Sequence, residues 1–238
     1  QFPDPGNLAV KRNESHQPKL YKTLKESRKW SQLLGVAHIG DLNTDCIDGS
    51  IREVIKVAEG LHEKKISQIA DDIGSNEERR LVLIAGPSAA GKTTFTKRLS
   101  IQLIVGGLRP ISISLDNYYV DRAKTPLHPN GDYDFEALEA IDIFLFNEHL
   151  KRILDGEEVL TPRYDFNKGR RASREKWIPI KLSRDNVLII EGIHGLNDLL
   201  THAVPTNRKY KIYVNALNPL AVDEHNRLHT SDTRLIRR

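Results

Sequence analysis

The sequence predicts an α/β fold, a parallel β-sheet flanked by helices, preceded by a small, mainly helical N-terminal segment. Three observations carry this. A short continuous apolar run at 81–85 ("LVLIA") has the length and composition of a buried parallel strand, and 111–115 ("ISISL"), 186–190 ("NVLII") and 210–214 ("YKIYV") read as further strands. Helical stretches separate them, the alternation that yields a parallel sheet. The first run leads at once into "GPSAAGKTT" at 86–94, a glycine-bounded loop that opens a helix.

Taken in order, residues 1–20 hold Pro3, Pro5, Gly6 and Pro18 and read as an extended arm. A short helix is expected over Leu20–Trp30, then a turn-rich link at 33–43. Ser50 and Glu53 form an S-x-x-E capping box. Ile51, Val54, Ile55, Ala58, Leu61, Ile66, Ile69 and Ile73 follow at helical spacing, with Gly74 as a stop. The polar run Ser75–Arg80 suggests a boundary, giving an accessory segment over 1–76 and an α/β domain over 77–238. Within that domain, helices are expected at Lys92–Val105, ending at Gly106–Gly107, and over 135–156.

The totals set limits. A net charge of +4 over 238 residues, with both signs interspersed, suits an anionic small-molecule partner without demanding nucleic acid. The single cysteine, Cys46, excludes an intrachain disulfide, fits a reducing cytoplasm and is expected to be at least half-buried. No apolar run approaches a membrane span, and the start at Gln1 lacks a basic-then-apolar signal pattern. Methionine is absent, so the numbering is expected to cover only part of the natural protein. Self-association into a homo-oligomer is left open.

The loop at 86–94 matches G-x-x-x-x-G-K-[ST], the signature of the P-loop NTPase fold. Small residues, Gly86, Ser88, Ala89, Ala90 and Gly91, let several backbone N–H groups turn toward one anion. The helix beginning at Lys92 adds its positive end. Lys92 supplies charge to the β- and γ-phosphates of ATP or GTP, the Thr93 hydroxyl can ligate Mg²⁺, and Thr94 continues the cradle. A chance glycine turn is the competing reading; the strand before and the helix after argue against it.

Two carboxylates lie at strand ends, Asp116 in "SLDNYY" and Glu191 in "LIIEG". The carboxyl ends of parallel strands form the ligand side of such a sheet. Asp116 could take a proton from an attacking hydroxyl or hold Mg²⁺ through water, with Glu191 beside Thr93 and the metal. Solvent-facing strand ends are the alternative for each alone. In "SDTRLIRR", Arg234, Arg237 and Arg238 fall on one helical face and could close over a transferring phosphoryl group, although a solvated basic face is the commoner arrangement. A GTPase would be expected to show N-K-x-D, and "NKGR" at 167–170 lacks the Asp. His62–Glu63 lacks a second His at Ile66, and His225 and His229 lack the intervening Glu of a zinc motif.

Six blocks in order, the loop at 86–94, "SLDNYY", "YDFEALEAID", "PRYDF", "IIEGI" and "DTRLIRR", resemble the uridine kinase and phosphoribulokinase family over Leu81–Arg238. The resemblance implies an ATP- or GTP- and Mg²⁺-dependent phosphotransferase acting on a hydroxyl of a nucleoside. It implies Asp116 as catalytic base, Thr93, Asp116 and Glu191 around Mg²⁺, and Tyr119, Phe135, Glu136, Tyr164 and Phe166 lining the acceptor pocket. Arg234 and Arg237 would be lid arginines, on acceptor or phosphates. It also implies further elements beyond Arg238.

Two departures stand out. Glu136-Ala137-Leu138-Glu139 replaces the Asp-His-Pro-Asp usual in uridine kinases, and Gly169 replaces a pyrimidine-contacting His, leaving Arg170 or Arg171 to meet an anionic or differently shaped acceptor. A sugar-phosphate kinase is therefore one alternative. The segment before Leu81, through "LLGVAHIGDLN" at 33–43 and "GLHEKK" at 60–65, resembles part of the N-terminal accessory region of threonyl-tRNA synthetases, which makes a nucleotide-gated RNA-binding or regulatory module another.

Overall fold

The computed structural model describes residues 18–216, 220–223 and 225–237; most of the expected N-terminal arm, and Arg238, lie outside the described residues. The chain groups into two compact units, residues 1–58 with 218–229, and residues 59–217 with 230–238.

In the first unit, helix α1 spans Pro18–Leu34 and α2 spans Ile39–Asp48. Helix α2 occupies the second half of the stretch expected to be a turn-rich link. The cause is Asp41, whose Oδ2 accepts the N–H groups of Ala37 at 2.9 Å and His38 at 2.8 Å and so fixes the helix entry. Gly49, at φ +87°, ends it. Cys46 on α2 is exposed rather than half-buried, because this helix has no buried residue. Helix α3, Ile51–Gly74, has the expected bounds. The expected capping box does not form: the Ser50 hydroxyl instead donates to Asp45 and Asp48.

The second unit is built on strands β1 (Leu81–Ala85), β2 (Arg109–Ser114), β7 (Asn186–Glu191) and β8 (Lys209–Tyr213). They form a parallel sheet in the order β2-β7-β1-β8. Alternation along the strands sorts the core into two faces. Leu81, Leu83, Leu188 and Ile190 pack with Phe146, Leu150 and Ile153 of α5 (Ile143–Leu154). Val82, Ile84, Val187 and Ile189 pack with Ile66, Ala70 and Ile73 of α3 and with Phe95, Leu99 and Leu103 of α4 (Lys92–Val105). Each such fully buried aliphatic contributes about 1.5–3 kcal/mol.

Helix α5 is shorter than the helical stretch expected over 135–156. Residues 119 and 141 form a bridge, Val120 N–H donates to the Ala140 carbonyl, and Asp142 N–H donates to Tyr118. That extended pairing holds the chain out of the helix until Asp142 caps α5 by accepting the Leu145 N–H. Between α5 and β7 lie two small antiparallel ladders, β3 (Val159–Thr161) with β6 (Ile178–Ile180), and β4 (Tyr164–Asp165) with β5 (Arg170–Arg171). Helix α6 spans Thr230–Ile236. Among the described residues, no helix is long and apolar enough to cross a membrane.

Candidate active site

The loop between β1 and α4 is pressed against β8. A Cβ at Gly86 would lie 2.0 Å from the Val214 carbonyl oxygen, so only glycine lets the chain leave β1 along this path. Ala89 takes a left-handed conformation at φ +58° and Gly91 follows at φ +93°, curling the backbone ahead of α4. Ala90 is buried beneath the loop while Ser88 and Thr94 are exposed. The first amides of α4 have no partner one turn earlier in the helix, which suits an anion. The Lys92 ammonium folds back onto the loop and donates to the Pro87 carbonyl at 3.1 Å.

Sheet register brings the carboxylates to the same place. Ser114 of β2 and Ile84 of β1 both pair with Glu191 at the tip of β7. The Thr93 hydroxyl donates to Glu191 Oε1 at 2.6 Å, joining the start of α4 to this strand tip. Asp116 sits just past β2 in a 3₁₀ turn. Its side chain opens to solvent, yet the protein beneath removes enough water to raise its pKa. The Glu191 carboxylate adds to this and Lys92 opposes it. One hydroxyl and two carboxylates are hard oxygen donors of the kind Mg²⁺ takes alongside substrate phosphates. Among the described residues, no group of three or more His, Cys, Asp and Glu side chains forms a metal cluster.

The residues expected to line the acceptor pocket form an aromatic row. The Tyr119 ring meets Tyr164 at 5.8 Å, and Tyr164 meets Phe166 at 5.1 Å. The Tyr119 hydroxyl donates to the Phe135 carbonyl at 3.2 Å. Partial burial, then the charges of Asp116 and Glu136, push its pKa up to about 12, which keeps it a neutral donor. Phe135, Glu136 and Phe166 are exposed. Asn117, which sequence reasoning passed over, anchors the row by accepting the Tyr164 N–H at 3.2 Å; its position between Asp116 and Tyr118 was the available signal.

Arg234 of α6 and Arg237, just past its end, reach the phosphate loop. Arg234 Nε donates to the Ser88 carbonyl at 2.9 Å, and the Arg237 guanidinium lies 2.8 Å from where a Cβ would stand on Gly91. The structure thus gathers Gly86–Thr94, Asp116, Glu191, Arg234 and Arg237, with the aromatic row extending from Asp116. Arg171 is committed elsewhere: it pairs with Asp142 at 2.9 Å and donates to the Tyr118 and Tyr119 carbonyls, so it is not available to an acceptor. Arg122 was missed, because its place depends on a pairing with Gly169 that no local pattern reveals.

The model of the phosphoribulokinase/uridine kinase family matches residues 81–225. A uridine kinase of Halobacterium salinarum is 30% identical over 116 residues, 48% of this chain and 48% of that protein. One of Mycoplasma genitalium is 32% identical over 118 residues, 50% of this chain and 53% of that protein. One of Schizosaccharomyces pombe is 35% identical over 124 residues, 50% of this chain and 25% of that protein. The solved structure of a possible uridine kinase from Bacillus stearothermophilus has 20% identity and a TM-score of 0.49, covering 63% of this chain and 80% of that one. The chain spans about half the length of the bacterial and archaeal relatives it matches. The family match takes in the phosphate loop, both strand-tip carboxylates and the aromatic row, and it runs over more than half of the sequence: this chain belongs to the phosphoribulokinase/uridine kinase family.

Proposed function

We propose that this protein transfers the γ-phosphoryl group of ATP or GTP to a hydroxyl of a nucleoside or sugar, with uridine- and cytidine-like acceptors as the first to test. The observation that carries this is the 2.6 Å bond from Thr93 of the loop to Glu191, with Asp116 close enough for its ionisation to respond to both Glu191 and Lys92. The loop amides and Lys92 hold the phosphates. Thr93, Asp116 and Glu191 would hold Mg²⁺, which when bound neutralises charge on the phosphate oxygens.

Asp116 takes the proton of the acceptor hydroxyl; its raised pKa makes it a stronger base than an ordinary carboxylate. Tyr119, Tyr164, Phe135 and Phe166 give the acceptor flat apolar surfaces, and Glu136 offers an acceptor oxygen for its hydroxyls. Arg234 and Arg237, beside Ser88 and Gly91, spread the charge that develops on the moving group. On this reading residues 77–238 carry the catalysis and residues 1–76 are accessory to it, in a cytoplasmic enzyme.

The test is turnover of a panel of nucleosides and sugars with ATP and GTP by the parent and by Asp116→Asn. The expected loss in kcat is about 10²–10⁴-fold, with the affinity for ADP measured without Mg²⁺ retained, because the loop and Lys92 hold the phosphates. Full activity in the variant would remove Asp116 from this role, and a parent that binds nucleotide but phosphorylates no member of the panel would remove the reading itself.

A further inference from the structure

Asp116 stands on a 3₁₀ turn of four residues, Leu115–Tyr118. The other three side chains of the turn anchor it. Leu115 is buried in the core, Asn117 accepts the Tyr164 N–H at 3.2 Å, and the buried Tyr118 ring packs edge-on against Phe146 at 5.0 Å.

Tyr118 differs from the other two in ending on a buried polar partner. Its hydroxyl shares a hydrogen bond of 3.2 Å with Nδ1 of His149, on the buried face of α5. The His149 ring in turn meets Trp177 in a T-shaped contact at 6.1 Å. The Trp177 indole N–H donates to the Ala172 carbonyl at 3.0 Å, and the Arg174 guanidinium lies 5.8 Å from the Trp177 ring. A chain of contacts thus runs from the segment between β5 and β6, through α5, to the turn of Asp116.

Phenylalanine at both places would fill nearly the same space without burying a hydroxyl and an imidazole, each of which must be bonded once it leaves water. What the polar pair adds is direction. Apolar packing tolerates a ring that slides or turns, whereas a hydrogen bond weakens steeply with distance and angle and so specifies one arrangement of the core. Burial, opposed by Glu148 and joined by Arg152, Arg171 and Arg174, lowers the His149 pKa, so a neutral ring meets a neutral phenol. Tyr118 and Asp116 are two residues apart in a single 3₁₀ turn, and any shift of the tyrosine ring reaches the carboxylate through that backbone.

We infer that His149 and Tyr118 are a positioning pair for phosphoryl transfer: their bond sets where the Asp116 carboxylate stands when the acceptor hydroxyl gives up its proton. The inference rests on the kinase reading for the role of Asp116. Both residues are buried behind the turn and act through it.

The test begins with Tyr118→Phe, which removes only the hydroxyl and leaves the His149 imidazole buried without it. Turnover is expected to fall on the order of 10-fold in kcat, while KM for the acceptor and the affinity for ADP without Mg²⁺ stay as in the parent. The midpoint of urea denaturation should fall as well. Tyr118→Phe/His149→Phe separates the two effects. With no polar group stranded in the core, its midpoint should return toward that of the parent. Its kcat should stay at the level of the single variant, because the directional bond is still missing; a contact that served stability alone would restore kcat together with the midpoint.

Parental kcat in Tyr118→Phe, or a double variant that regains kcat with its midpoint, overturns the pair and leaves the kinase reading standing, since the parent still turns over. If the parent phosphorylates no acceptor, the kinase reading falls and amide hydrogen exchange decides the pair by itself. The N–H groups of Asp116 and Tyr119 are bonded to Ser114 Oγ at 3.3 Å and to the Asp116 carbonyl at 3.5 Å. Both should exchange faster in the two variants than in the parent while β2 is unchanged, and parental rates at these two amides would overturn the pair.

Discussion

Replacing Gly86 by alanine tests the link between strand packing and the phosphate loop. The added Cβ would stand 2.0 Å from the Val214 carbonyl oxygen and 3.1 Å from its carbon. An ordinary carbon–oxygen contact is about 3.3 Å, so β1 and β8 must part by roughly 1 Å at this end. Both groups are backbone, so no rotamer change can relieve the clash. The parting strains the bond by which Val214 N–H donates to the Ala85 carbonyl at 2.7 Å. Loss of that bond is about 1 kcal/mol and the overpacking about 1–3 kcal/mol, which together give a destabilisation of about 2–4 kcal/mol. The loop moves with the strand end, and a displacement of about 1 Å at a phosphate cradle can reduce function by about 10²-fold. Urea denaturation should show a lower midpoint at unchanged slope, and titration with a non-hydrolysable ATP analogue should show weakened binding. A variant within about 0.5 kcal/mol of the parent and with unaltered nucleotide affinity would refute this account of the loop.

Other substitutions probe separate parts of the site and fold. Burial, the Glu191 charge and the opposing Lys92 set the pKa of Asp116 above the usual carboxylate range, and the base is active only when ionised. Activity should therefore fall as pH drops through that raised value; Glu191→Gln removes one raising cause, so the acid limb of kcat/KM should move to lower pH, and an unmoved limb would count against the coupling. Arg171→Gln loses the 2.9 Å pair with Asp142 and the bonds to two carbonyls, and should cost about 1–3 kcal/mol in chemical denaturation while leaving Mg-ADP affinity intact. Gly60→Ala, inside α3 with open space where the Cβ would stand, should stabilise by about 0.5–1 kcal/mol in the same assay.

The parallel sheet was legible because β1 is an unbroken apolar run that the loop follows directly, and because further strand-like runs alternate with helical stretches. All four strand positions agree with the sequence reading to within two residues, and α4 and α3 have the expected bounds. What escaped was decided by particular contacts that composition does not show, most of them distant in sequence. Residues 135–142 have helical composition, but the pairing of Val120 with Ala140 and of Asp142 with Tyr118 confines them to a turn and a single 3₁₀ turn at Leu138–Ala140. Helix α2 depends on one carboxylate, Asp41, collecting two upstream amides in a stretch with two glycines. At the site, the loop, Asp116 and Glu191 could be read from motif and strand ends. The division of labour between Arg170 and Arg171 could not, because it turns on which of the two reaches Asp142 across 29 residues. Arg122 carried no local signal, since its place is set by Gly169, in the turn that joins β4 to β5.

Strands β2 and β7 run side by side from Arg109 opposite Asn186 to Ser114 opposite Glu191 without a bulge. The spacing of the two acids is thus set by the sheet together with the short 3₁₀ turn that carries Asp116. Sliding β2 by a single position would carry Asp116 about 3.3 Å along the strand axis and exchange the inward and outward faces of every residue behind it. A one-residue insertion or deletion within 109–114 should therefore disturb the hydrophobic interior and the distance between the acids together, so that neither can drift independently of the other.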